Sequence, residues 1–119
     1  MEYYGDNQKN FSYFNKNFYY RYTDDPGEDG TRLSPIEIDG LSQKLGGDYY
    51  RLGLRAELSD EVTNIRNNNF QFPSPESKAA VVLKRINNRS NFSRMELADN
   101  LEKIGFGRLA DDLLRGRLR

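Results

Sequence analysis

Short segments bounded by helix starts and stops constrain this chain more than any other feature. Ser34-Pro35-Ile36-Glu37 combines an N-cap serine, a proline at the first helical position and a glutamate at the third. The serine oxygen can accept from the glutamate amide while the glutamate reaches back to the serine amide, a capping box with the favoured first-turn proline. Ser74-Pro75 starts a helix in the same way, and Ser93-Arg94-Met95-Glu96 is a second capping box. Gly46-Gly47 and Gly105 supply stops. Helices this short are marginal in water. The segments between residues 33 and 114 therefore have to close around one shared core.

The apolar residues fall at helical spacing within each segment. Ile38, Leu41 and Leu45 share a face, as do Tyr49, Leu52 and Ala56 in a second helix that Asp48 is expected to cap. Ser59 is expected to cap a third helix, with Asp60 and Glu61 favourably placed in its first turn and Val62 and Ile65 inward. Asn67-Asn68-Asn69 ends it, and FQFPSP (70–75) is a loop in which Phe70 and Phe72 are expected to pack. The fourth helix turns Ala79, Val82, Leu83 and Ile86 inward and Lys78, Lys84, Arg85 and Arg89 outward. The fifth turns Leu97, Leu101 and Ile104 inward. The sixth runs from Arg108 to about Leu114, with Leu109 and Leu113 one turn apart. No strand-like alternation competes. The predicted fold is all-α, a six-helix antiparallel bundle over residues 33–119, with every apolar residue of the helices committed to the core.

Residues 1–32 differ in kind. They hold nine of the fifteen aromatic residues, in YY, FSYF and FYYRY, with no sustained helical period, and they end in the acidic, turn-rich DDPGEDG (24–30). This composition predicts an irregular aromatic and acidic tail, disordered or loosely docked; the alternatives are a segment lying along a groove of the domain or a short aromatic recognition motif. The overall charge of zero conceals the contrast: residues 1–40 carry 4 basic and 8 acidic side chains (net −4), and residues 41–119 carry 14 and 10 (net +4).

Composition excludes several classes of function. With no cysteine there is no disulfide framework, and with no histidine as well, Cys–His, Ser–His–Asp and histidine acid–base chemistry are ruled out. Carboxylates alone make a zinc site improbable. The remaining Asp, Glu, Lys, Ser and Tyr residues show no mechanistic spacing, so an enzyme is not expected, and neither is a cofactor. The longest purely apolar run, Ala79 to Leu83, is far too short to span a bilayer, and the N-terminus lacks the basic-then-apolar order of a signal peptide. The expected location is cytoplasmic, without membrane insertion.

Three stretches in order resemble the death domain, the six-helix interaction module of apoptotic and innate-immune signalling. DYYRLGLRAELSDEVTNI (48–65) is similar to the family's passage from helix 2 to helix 3. PESKAAVVLKRINNRS (75–90) is similar to its helix 4, and MELADNLEKIGFGRLADDLL (95–114) to its helix 5 to helix 6 ending. The chain departs from the pattern where tryptophans are usual, with Tyr49 or Tyr50 early in helix 2 and Ile86 in helix 4. Gly53 stands where alanine is usual, and the helix 2–3 junction is about one residue short. RLADDLL lacks the Arg-x-Asp-Leu spacing of the sister death-effector modules.

The resemblance implies a non-enzymatic adaptor or receptor tail. It would bind other death-domain proteins (receptors, kinases or adaptors) in NF-kappa-B-type signalling and could homo-oligomerise. Charged patches would carry recognition by steering encounter and rejecting wrong partners. The candidates are Arg51, Arg55, Asp60, Glu61 and Arg66 on helices 2 and 3, Lys78, Lys84, Arg85 and Arg89 on helix 4, and Phe106 to Arg108 at the helix 5–6 turn. For each charge the plain alternative is a solvated helix face, and for Phe106 it is a ring folded over the corner. A rival from another class is a small helical nucleic-acid-binding domain using the basic LLRGRLR (113–119), which Asp111 and Asp112 dilute.

Overall fold

The computed structural model describes residues 30–119. Among the described residues the protein is all-α, with no strand and no helix long and apolar enough to cross a membrane. The helices are α1 (Pro35–Leu45), α2 (Tyr49–Arg55), α3 (Ser59–Asn67), α4 (Pro75–Asn87), α5 (Arg94–Lys103) and α6 (Gly107–Leu114), with a 3-10 turn at Gly46–Asp48. The first two of the expected helices follow each other directly. α1 ends at its C-cap Gly46 (φ 48°), and the 3-10 turn leads straight into α2 with no loop between them. α5 packs most extensively on α6 and α1 on α4, while α2 lies against α3 and α4.

Ser34, Ser74 and Ser93 each cap the start of a helix. Ser34 Oγ accepts from the Glu37 amide and Glu37 Oε1 from the Ser34 amide. Ser74 and Ser77 exchange the same pair of bonds, and Ser93 Oγ accepts from the Glu96 amide. Two expected caps are corrected. Asp48 makes no capping bond, because α2 is entered directly from the 3-10 turn. Ser59 is already inside α3, whose N-cap is Leu58.

The tight α2–α3 junction explains the second correction. α2 closes in a Schellman motif: the Glu57 amide donates to the Leu54 carbonyl at 3.1 Å, and the Leu58 amide to the Gly53 carbonyl at 2.9 Å. Leu58 thus ends one helix, begins the next and is itself buried, leaving no room for a side-chain cap. The motif puts Glu57 at φ 63°, the left-handed position that α5 gives to Gly105 (φ 97°). A left-handed non-glycine residue costs about 1–2 kcal/mol. Glu57→Gly is therefore expected to stabilise the protein by about 1 kcal/mol, since relief of that strain outweighs the added chain entropy. A shift of the urea midpoint to higher concentration at unchanged slope checks this; a lower midpoint contradicts it.

Gly53 serves a different purpose. A Cβ added there would lie 2.7 Å from Val62 Cγ2 and 2.8 Å from Val62 Cβ, so the missing side chain is what lets α2 and α3 approach. Gly53→Ala is expected to destabilise. Overpacking costs about 1–3 kcal/mol, which exceeds the gain of up to ~1 kcal/mol in helix propensity. In Val62→Ala, which clears the space, the same substitution should cost markedly less, and a double-mutant cycle in urea reads that coupling.

Every inward residue named from helical spacing is buried, with Leu41, Leu52, Val62, Leu83, Leu101 and Leu113 wholly so. Leu33, Leu58 and Phe92, from outside the periodic segments, complete the core. The commitment of all apolar side chains to the core is corrected at three places: Ile36, Leu54 and Phe70 are exposed. Phe70 is 99% exposed, and the expectation that it packs is wrong. Asn68 Oδ1 accepts from the Gln71 amide and the Asn68 carbonyl from the Phe72 amide, closing a turn with Phe70 at its tip. Phe72 returns to the core's edge.

Candidate functional site: the α2–α4 face

The start of the described chain is built into the fold before any site is formed. Arg94, the first residue of α5, grips Glu37 with two bonds of 2.9 Å, and both side chains are almost fully buried. The same guanidinium donates to the Thr31 and Arg32 carbonyls, each at 2.9 Å. Asn87, at the end of α4, accepts from the Leu33 amide and donates to the Leu33 carbonyl. Arg32 donates to the Asn87 and Arg89 carbonyls, and its guanidinium lies 5.8 Å from the Phe92 ring centre. Thr31 and Arg32, placed in the tail by composition, are therefore tied to α4 and α5. The tail expectation for residues 1–29 falls outside the described residues.

On α2, Arg51, Leu54 and Arg55 all face outward. Their i, i+3, i+4 spacing makes them neighbours. Arg51 is 3.4 Å from Asp48 on the surface. Arg55 and Arg89 line one cleft, which Ile86, Phe92 and Leu97 border with apolar atoms and Glu57 and Glu96 with carboxylates. The cleft has room for about 100 Å³, well below the about 300–1,000 Å³ of a small-molecule pocket. It has room for a single side chain. Lys84 and Arg85 are exposed on the last turns of α4.

Other candidates are placed differently. Lys78 is corrected: it is 8% exposed, and its Nζ donates to the Arg66 carbonyl at 2.9 Å and to Asn69 Oδ1. A cation there satisfies acceptors at the C-terminal end of α3 and is withdrawn from any partner. Arg66 is exposed, but its guanidinium stacks on Tyr50, 4.4 Å from the ring centre. Tyr49, beneath them, is in the core as expected. Burial pushes its phenol above the ordinary value against the smaller opposing effect of Arg66. Asp60 is exposed and Glu61 half-buried in the first turn of α3. Phe106 is half-buried against the core and Arg108 is exposed, both at the α5–α6 corner and neither lining the cleft.

No family model, curated protein or solved structure matches the chain.

Proposed function

We propose that this protein is a non-enzymatic protein–protein interaction module of the death-domain type. Its α2 face and the adjoining end of α4 would dock on acidic patches of partner helical domains. The observation that carries the reading is the exposed Leu54 between Arg51 and Arg55. Arginine is enriched at interfaces and in their hot spots, and an exposed leucine between two arginines adds apolar area for a partner to cover. Arg89, half-buried in the turn after α4 and across the cleft, and Lys84 and Arg85 on the last turns of α4 extend the positive surface beyond α2. The order of helix signals and the three death-domain-like stretches support the reading from the sequence. The same chemistry suits an adaptor or receptor tail in apoptotic or innate-immune signalling, working in the cytoplasm. A patch-to-patch contact of this kind can also propagate into an oligomer.

Charge reversal tests the surface. Arg51→Glu/Arg55→Glu is expected to weaken capture of partner death domains at least about tenfold, as loss of charge pairs at an interface does. The melting temperature should change little, because surface pairs such as Arg51–Asp48 add almost nothing to stability. Undiminished capture by the double variant removes the α2 face from the account.

A further inference from the structure

We infer that Phe70 anchors a head-to-tail contact between copies of this chain, its ring entering the cleft beside Arg55 and Arg89 of the next copy. The inference goes beyond the function proposed above, because its partner is a second copy and its anchor lies outside the α2 face. The ring is held out by a braced turn, where it is 99% exposed. Asn68 closes that turn with both side-chain atoms, accepting from the Gln71 amide at 3.0 Å and donating to the Gln71 side-chain oxygen at 2.9 Å. The buried Lys78 holds Asn69 from below. An apolar group fixed in this way loses little freedom when a partner covers it.

The cleft matches the turn in size and in charge. It has room for about 100 Å³ over a floor of Ile86, Phe92 and Leu97, enough for one side chain. Its rim sets two arginines against two glutamates, so it selects neither an acidic nor a basic segment. Residues 67–73 are uncharged, and around Phe70 they carry the amides of Asn67, Asn68, Asn69 and Gln71. An amide both donates and accepts, so it can meet either sign of charge. The ring does not fill the cleft of its own chain. Lys78 keeps the turn at the start of α4, and from Pro75 to Ile86 that helix rises about 16 Å. A knob and a cleft set apart on one surface make a heterologous contact, which leaves one of each free at the ends and adds further copies. One ring and its turn bury less than a stable dimer needs, so the association is weak and grows with concentration.

Sedimentation velocity of the 119-residue chain, from micromolar to millimolar concentration, tests this with two variants. Phe70→Ala removes the ring at a fully exposed site and should leave the melting temperature unchanged. Asn91→Trp fills the cleft from an exposed position on its lining. The wild type is expected to grow in mass beyond a dimer. Each variant alone should associate at least about tenfold more weakly, the scale of an aromatic hot spot. Mixed in equal amounts, the two variants should pair and stop at a heterodimer, because only one intact ring and one intact cleft can meet. A monomeric wild type, unchanged association of either variant, or variants that stay apart when mixed overturns the inference. The readout uses the pure chain alone, so failure here and failure of partner capture are separate results.

Discussion

Arg94→Met is expected to destabilise the protein by about 3–5 kcal/mol, the cost of leaving one member of a buried ion pair without the other. Arg94 donates two bonds to the Glu37 carboxylate, itself 1% exposed, and two more to the Thr31 and Arg32 carbonyls. Its loss leaves a buried carboxylate uncompensated and frees the start of the chain from α5. Arg119 Nε, 3.7 Å from Glu37 on the open side, cannot replace a bidentate fork. Arg94→Lys should be almost as damaging, because an ammonium cannot make the paired bonds. Glu37→Leu/Arg94→Met should recover much of the loss, since a buried pair exchanged for apolar packing is often neutral. Urea unfolding of the three variants checks the order.

The pair also makes stability depend on pH. Burial pushes the Glu37 carboxyl up. Hydrogen bonds from Arg94 and the Ser34 amide, with the charges of Arg94 and Arg119, outweigh this and hold it below the ordinary carboxylate value. A folded-state value below the unfolded one contributes stability that is present above the unfolded value and lost as pH falls through the folded one. This acid-linked loss should be absent in the apolar double variant.

The second large effect is expected at Leu101. It is wholly buried in α5, on the face that packs against α6. Leu101→Ala removes buried methyl groups and leaves a cavity, at about 2–5 kcal/mol. Its carbonyl also accepts from the Phe106 amide at 2.8 Å, closing the α5 terminus beneath Gly105. The backbone bond survives the substitution, so the loss is one of packing alone. A cost under about 1 kcal/mol would place Leu101 outside a packed core.

The helix faces and serine starts were legible because both are local. Helical spacing within about ten residues decides which side chains turn inward, and a cap needs only its own helix. Contacts between distant segments were not legible. Glu37 was read as the third residue of a capping box, and it is one, but its pairing with Arg94, 57 positions away, leaves no local mark. Asn87 carries no local mark of a role, yet its amide is the staple for Leu33. Lys78 looked outward from its charge, and the carbonyl end of α3 draws it in. Gly53 stood out only as a departure from the usual alanine until Val62 was placed against it. At the candidate site, the exposure of Arg51 and Arg55 was foreseen. The cleft that joins Arg55 to Arg89, with Glu57, Glu96 and Phe92, depends on three helices meeting and could not be.

The measurement that tests the central claim most directly is the identity of what the 119-residue chain captures from cell lysate, with and without nuclease treatment. It should be run beside Arg51→Glu/Arg55→Glu and read by mass spectrometry. The account expects proteins carrying death domains, held by the wild type and lost with the variant. Capture of nucleic-acid-binding complexes that disappear on nuclease treatment, or of the same proteins by both forms, would contradict it.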